Sequence, residues 1–583
     1  MRAPTSAKPH PHHYKEFTLA TTPIYQIQGS ELYSPLANQR VTTHGVVTGF
    51  VYHGFFIQDP EQHQYSAADA AHCSHGLFVF SRGKKPPLGC YLEIDGEITD
   101  YTKFENDKPV TQLHMRDVRL LDKRGPKIAA VTISAASLPN TYPTLASYLN
   151  NLEGMLVKLD KGATFVQPSN PFGDYVLTPA DWDAHAGKFP HIRTEQGGVI
   201  LDHSIQDFWL PGFRIIDKGD APRVNVGATL KKSIQGPLDF RVGAYQIAVN
   251  HALDVQAATV AFTQTALRSD GDAITVLTLN TFNLDPHIEN AHKVSSPNTD
   301  IDDDIGAGQF RLLAGAIVEQ ASAPDIIALQ EIQDSDGAEL GEVVSAANTY
   351  QQLIDDILRA GGPRYAWIDV PPQAGEDGGQ PGGNIRNAYL YNPTRVKLLD
   401  KSVRRLGENT AAYAGSRKPL LARFETCTDT PRRLAIINVH LASKRMQHSI
   451  FADQQPGHDP RKGIRAEQAA IIREHLLALL DEGLDYYVTG DFNDVEGSET
   501  LTTLLGEESV NLVYSLPSNL RFDYNHRGKL HVLMHGIVSR RMHDEARVEY
   551  EILHGNELLG VTPGRLEDAQ KASDHAYVIA RLG

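Results

Sequence analysis

Between Ile24 and about Leu121 apolar and polar positions alternate in short runs broken by turn residues: VTTHGVVTGFVYHGFFIQD, GLFVFSRGKKPPLG, CYLEIDGEITDY and PVTQLHMRDVRLL. Runs of this length, closely spaced and with little helical periodicity, predict a small β-barrel. Residues 122–152 read as a connector with some helix, and a second β-rich stretch runs from Leu152 to about Val255. The two stretches share an internal likeness. Gly96-Glu-Ile-Thr-Asp-Tyr followed by Thr111-Gln-Leu parallels Gly236-Pro-Leu-Asp-Phe followed by Tyr245-Gln-Ile, and GFFIQD (54–59) sits where ATFVQPS (163–169) sits. This predicts a tandem pair of related barrels; two unrelated β segments are the other reading. After Asp272 apolar strands alternate with helical stretches such as FRLLAGAIVEQ, YQQLIDDILRA and AEQAAIIREHLLALLDEG, the pattern of a mixed α/β domain.

The buried strands of that last region end on polar residues. Ile274-Thr-Val-Leu-Thr-Leu runs into Asn280-Thr-Phe-Asn283, Asp325-Ile-Ile-Ala-Leu into Gln330-Glu331, Leu434-Ala-Ile-Ile-Asn-Val into His440, and Tyr486-Tyr-Val-Thr-Gly into Asp491-Phe-Asn493. A last strand, Ala576-Tyr-Val-Ile-Ala-Arg, is preceded by Ser573-Asp574-His575. Singly, such residues are caps, turn residues or satisfied core histidines. As a set gathered at one sheet edge, they form an oxygen-rich donor group suited to Mg²⁺ and phosphate, with imidazoles for proton transfer. Separate structural residues, or a site that has lost activity, are the competing readings.

Composition narrows the classes. At ~150 residues per domain, 583 residues imply three to four domains. Charged residues at 22% and hydrophobic ones at 41% are ordinary globular values, with no run near the ~20 apolar residues of a spanning helix. The net charge of −16 repels nucleic acid and anionic membranes globally, so a phosphate ligand needs local basic groups or a metal. Cys73, Cys90 and Cys427 form no CxxC, which argues against a disulfide framework or a zinc cluster. The opening MRAPTSAKPHPHHY reads as a disordered tail without a secretory signal; its His10, His12 and His13 are a weaker metal-binding alternative.

TFN (281–283), ALQE (328–331), LYNPTRV (390–396), NVHLASK (438–444), TGDFND (489–494) and SDH (573–575) stand in the order of the endonuclease/exonuclease/phosphatase superfamily, which the chain resembles. The front half resembles the OB-fold-like region of bacterial predicted extracellular nucleases, in the phrases IYQIQG, VVTGF…GFFIQD and DY…TQL. The resemblance implies a four-layer αββα sandwich as the catalytic domain over 272–583. It would be preceded by a tail over 1–23, an OB-fold-like barrel over 24–130 and a second OB-like domain over 150–258. It implies a Mg²⁺-dependent nuclease, with Mn²⁺ or Ca²⁺ as alternatives, acting on nucleic acid with DNA first. No membrane or protein partner is implied.

By motif Glu331 is the principal metal ligand with Asn283 close by, and Asp574 is a ligand or an orienter. Asp491 and Asn493 direct the attacking water, His440 and His575 flank the scissile phosphate, and Arg386, Asn283 and Asn493 meet phosphate. Arg386 has an equal alternative as a rim salt bridge. A phosphatase, a lipid phosphodiesterase or a weakened nucleic-acid-binding protein are the alternative functions. The resembling proteins are mostly secreted, which leaves location open between secreted and cytoplasmic. Two gaps stand out: LMHGIVS (533–539) replaces the usual LDHILVS, so Met534 stands where an Asp orients the last His, and no motif assigns a carboxylate to His440. A His575 without its acid predicts a slow enzyme with an acid-shifted optimum, unless Asp523 or Asp544 substitutes. In the first barrel Phe55, Phe56, Phe78, Phe80 and Tyr101 are candidates for base stacking, with core packing as the alternative.

Overall fold

The computed structural model describes all residues except 1–20, 61–71, 105–106, 203–204, 206, 445–448, 453–458, 546 and 565–570, so the histidine-rich tail lies outside the described residues. Five strands make the first domain: β1 (Arg40–Val51), β2 (Gly54–Gln58), β3 (Gly76–Phe80), β4 (Tyr91–Tyr101) and β5 (Val110–Asp122). They close into a barrel in the order β1-β2-β3-β5-β4. All pairs are antiparallel except β3 with β5. Val47, Phe55, Ile57, Leu77, Ile94 and Leu113 fill the interior, and the short helix Ile24–Gln28 adds Ile24 and Ile27 to it. Phe55 is therefore core. Phe56 and Phe78 pack with Val51 and Ala248 against the second domain, while Tyr101 is exposed and Phe80 partly so.

The second stretch is a nine-stranded sheet that starts earlier than the sequence pattern indicated. Val131–Thr132 is its first strand, and Leu145 and Leu149 of the helix Tyr142–Asn150 lie in its core. The supposed connector thus belongs to this domain. Its pairings repeat those of the first barrel, with the first strand split into Leu156–Leu159 and Thr164–Gln167. The second half pairs with Asp174–Thr178, which pairs with Gly212–Ile215. That strand runs parallel to Ala244–Val249, which pairs with Ile234–Arg241 and so returns to Leu156–Leu159. The glycines of the internal likeness sit at matching places on the fourth strand. A Cβ on Gly96 would meet the His114 carbonyl oxygen at 2.4 Å, and one on Gly236 that of Ala248 at 2.0 Å. The upstream half of the likeness is displaced by one strand, since GFFIQD lies on β2 and ATFVQPS on the second half of the split first strand.

Beyond Ala273 two sheets stack face to face. One holds, in order, Ala366–Ile368, Arg386–Tyr391, Ile326–Ile332, Ile274–Leu284, Tyr577–Leu582 and Val548–Leu553. The other holds Val396–Leu398, Leu420–Thr426, Arg433–His440, Tyr486–Asp491, Met534–Ser539 and Ser509–Asn511. The period-2 alternation of a strand explains the layering. Val276, Ala328, Ile436, Tyr487 and Val578 point between the sheets. Leu277, Leu279, Ile327 and Leu329 point outward against Phe310, Leu313, Leu353 and Ile354, from the helices Gln309–Gly315 and Ala347–Arg359. On the far side Ile437 and Val488 meet Ile472 and Leu476 of the helix Lys462–Asp481. The result is the αββα sandwich expected from the sequence.

The three regions are one interlocked body. The hairpin Tyr524–His526/Lys529–His531 leaves the sandwich and pairs with Val199–Leu201 of the second domain, in a four-stranded sheet completed by His191–Arg193. Asn525 Nδ2 donates to the Val166 carbonyl at 2.8 Å and Arg527 to that of Val242 at 2.9 Å.

Candidate functional site

Two buried amides tie the sheets together just behind the sheet edge. Gln330 Nε2 donates to Asn438 Oδ1 at 2.6 Å, and Asn438 Nδ2 donates to the carbonyls of Leu329 (2.8 Å) and Ala388 (3.0 Å). The bridge fixes the distance between the strand ends that carry Glu331 and His440. Beyond it the ladders break: register shifts after Asn280 on one strand and after Leu329 on the next. Phe282, Asn283 and Glu331 take left-handed φ values of 62°, 59° and 59°, and Asn493 takes 51°. Non-glycine residues held there cost about 1–3 kcal/mol each and gather where side chains must be re-aimed. Here the turn at Glu331 brings its carboxylate to the sheet edge.

The parallel pairing of His440 with Asp491 sets those two side by side. His440 Nε2 lies 3.8 Å from Glu331 Oε1 and 3.6 Å from Asp491 Oδ2, and His575 Nε2 is 4.0 Å from the same Asp491 oxygen. Asn493 donates to Asp491 from its backbone N–H (2.8 Å) and from Nδ2 (3.3 Å). Asp574 is partly exposed and acts on both Glu331 and His575 through its charge. The structure therefore brings Glu331, His440, Asp491, Asn493, Asp574 and His575 together.

Two others have different partners. Asn283 lies near the end of the strand Ile274–Leu284, and its backbone carbonyl accepts from Gln333 Nε2 at 2.8 Å; Asn280 is the amide that hydrogen-bonds Glu331. Arg386 is buried and spent on structure. It donates to the Asn384 carbonyl at 2.9 Å and to that of Val344, and pairs with Asp369 at 3.2 Å, which is the rim salt bridge. The arginine at the site is Arg417, whose NH2 group donates to the Leu441 carbonyl at 2.9 Å and whose charge acts on Glu331 and Asp491. Among the described residues its buried Nε and the buried His440 Nδ1 have no hydrogen-bond partner, and none supplies a carboxylate to that His440 nitrogen.

Met534 points into the apolar layer between the sheets, and Asp523 takes over the expected acid's task. Asp523 Oδ1 lies 2.9 Å from His575 Nδ1, and its Oδ2 accepts the backbone N–H groups of Leu533 (2.7 Å) and Met534 (2.9 Å). Asp523 is thus held by the very backbone whose side chain is missing the acid. Tyr524 stacks on His575 at 4.7 Å. Asp544 is elsewhere, beside His543 at the end of the helix Arg540–Asp544.

The two imidazoles differ electrostatically. Burial, with Arg417 and His575 adding positive potential, holds His440 well below the usual histidine range. Burial acts the same way on His575, but Asp574, Asp523 and Asp491 outweigh it and push the ring up to about 10. Burial, then Asp574 and Asp491, raises Glu331 to about 7, and burial raises Asp491. One neutral ring, one charged ring and a crowded set of carboxylates face the same spot.

Residues 306–537 match the family model described as Endonuclease/Exonuclease/phosphatase family, and residues 133–259 match a Domain of unknown function (DUF8508). No curated protein matches the chain significantly. Among solved structures, a humanized D. rerio TDP2 is 14% identical, covering 54% of this chain and 99% of its own at a TM-score of 0.34. The human Nocturnin catalytic domain with bound sulfate is 15% identical over 56% and 97% at 0.35. The endonuclease/exonuclease/phosphatase from Bacteroides vulgatus is 15% identical over 53% and 98% at 0.33.

Proposed function

From the membership of residues 306–537 in the endonuclease/exonuclease/phosphatase family, we propose that the chain is a Mg²⁺-dependent phosphodiesterase hydrolysing nucleic acid, DNA first. The observation that carries this reading is the meeting of a neutral His440 and a charged His575 on Asp491 Oδ2, beside Glu331. Glu331 and Asp574 fit a hard divalent cation, since both are carboxylates and Glu331 is raised by burial and by the acids around it. Asn280 would aim Glu331. Bound there, Mg²⁺ would withdraw charge from a phosphate oxygen.

The chain's own groups would do the rest. Asp491, fixed by Asn493, would orient the attacking water and accept its proton. His575, kept protonated by Asp523, would stabilise charge building on the phosphorane, and His440 would donate a hydrogen bond from Nε2. Arg417, whose charge acts on Glu331 and Asp491, would lend positive potential to the phosphate. The nucleic-acid part rests on the front domains, whose shared strand order supports reading them as OB-like, a common single-strand binder.

Plasmid, single-stranded DNA, RNA and a phosphomonoester, each with Mg²⁺ and with excess chelator, test the reading. Cleavage of the polymers that needs metal and is abolished by Glu331→Gln is expected. Full activity in chelator would remove the metal, and turnover of the phosphomonoester alone would make the enzyme a phosphatase.

A further inference from the structure

A second acidic group lies apart from the strand-end site, on the loops that follow it. Asp285, Glu289 and Asp302 each offer a carboxylate oxygen, and these atoms lie within 4.8 Å of one another. Asp304 closes the group, with Oδ2 accepting the backbone N–H of Asp285 at 3.1 Å. Exposed acids often gather without consequence, but this group has a buried member left incomplete. Asp285 is fully buried; its Oδ1 takes the His287 N–H at 2.9 Å, while its buried Oδ2 has no hydrogen-bond partner among the described residues. A buried carboxylate oxygen without a donor, on a residue grouped with two more carboxylates, is costly unless a cation completes it.

The backbone is shaped around the same point. Gly337 takes φ +64°, and a Cβ there would lie 2.3 Å from Glu289 Oε1 and 2.7 Å from Asp285 Oδ1. The next residue, Ala338, donates its N–H to that Glu289 oxygen at 3.1 Å, and Asp302 donates its N–H to the other at 3.2 Å. Three separate segments therefore converge on these acids: the run just after Asn283, the loop through Asp302, and the loop that follows Glu331.

We propose that Asp285, Glu289 and Asp302, with Asp304 beside them, form a calcium site that staples these three segments together, distinct from the metal position at Glu331. The donors are all hard oxygens, several of them carboxylate, carried by irregular loops. Ca²⁺ suits such a flexible, many-oxygen set, whereas Mg²⁺ keeps its waters and demands a stricter octahedron. Calcium here would order the chain on both sides of the strand ends while leaving Glu331 free.

The test uses the full chain after chelation, with Ca²⁺ or Mg²⁺ added alone, reading Tm and the number of Ca²⁺ bound by titration calorimetry. Calcium is expected to raise Tm in the wild type and equally in Glu331→Gln, which separates this site from the proposed catalytic one. Asp285→Asn should abolish the rise. Should Asp285→Asn fail to fold, the exposed Asp302→Asn serves, and it should weaken calcium binding at least tenfold. No calcium-dependent rise in the wild type, or a rise unchanged in the Asp302→Asn variant, would overturn the site. An equal rise with Mg²⁺ would overturn its assignment to calcium.

Discussion

His575 owes its orientation to a carboxylate 52 residues earlier in the chain. The last-motif acid is absent at Met534, yet the backbone N–H groups of Leu533 and Met534 hold Asp523 where it reaches the ring. The expectation of a slow, acid-shifted enzyme is therefore withdrawn. Asp523→Asn should lower kcat about 10–100-fold, the usual loss for a partner that orients a reacting group. It should also move the alkaline limb of the kcat/KM profile toward neutrality, because the ring would lose an anion that favours its charged form. The sign for stability follows. His575 rises from 6.5 to about 10, so its contribution is complete below about pH 6.5 and is lost as pH climbs toward 10. Asp523→Asn should flatten that decline in Tm. Met534→Asp, now burying a second acid in the intersheet layer, should destabilise the fold without raising the rate. The two arginines separate in the same manner. Arg417→Ala should depress turnover with little change in Tm, whereas Arg386→Ala should cost about 3–5 kcal/mol by stranding Asp369 and leave turnover per folded molecule intact. Glu331, His440 and Asp491 were legible because each ends an apolar strand within a short local motif, and His575 because it stands just ahead of one. Arg417 was not, and Asp523 was only one of two candidate acids, because their partners lie far off in sequence. Asn280 was overlooked for another reason: strand parity points it inward beside Gln330, where the more conspicuous TFN motif drew attention to Asn283.

At the scale of elements, the hairpin 524–531 couples the front domains to the chemistry. It begins one residue after Asp523, carries the ring that stacks on His575, and is braced by Val166, Val199 and Val242 of the second domain. Phe451, from the catalytic half, is likewise buried in the second domain's core. A chain starting near Asp272 would lack all of these braces. With Leu530 and Phe522 stripped of Val226, their partner in one small core, that fragment should lose turnover. We expect kcat on a short substrate to fall at least tenfold, with the His575 NMR titration shifted to lower pH. An unchanged kcat in a folded fragment would mean that the hairpin holds its shape unaided. The repeat in the front half was readable as recurring Gly-led strands. The split of the first strand was not, because a four-residue interruption leaves the alternation on either side intact.

The whole molecule carries −16, so any grip on nucleic acid must be local. One surface of the first barrel has the required chemistry. Phe80 is partly exposed, stacks on His114 at 4.8 Å and lies 5.8 Å from the Arg82 guanidinium, and Tyr52, 81% exposed, packs edge-on against His53. Arg82 and Lys84 are exposed beside it, in the turn after β3. Aromatic faces offer stacking to any base, while the cations neutralise backbone phosphates; the two contributions respond differently to salt. Phe80→Ala should weaken binding of single-stranded DNA by about 1–3 kcal/mol at every ionic strength, leaving the salt slope unchanged. Arg82→Ala should instead make the slope of log K against log salt shallower by about 0.7, the value for one phosphate contact on a single strand. Both changes should raise KM on long strands and leave kcat on a short diester untouched, because neither residue is among the contacts of the strand-end carboxylates. Fluorescence anisotropy across a salt series reads both parameters in one experiment. Equal slopes for the wild type and Arg82→Ala, with no loss of affinity in Phe80→Ala, would show that this face of the barrel is not where the strand lies.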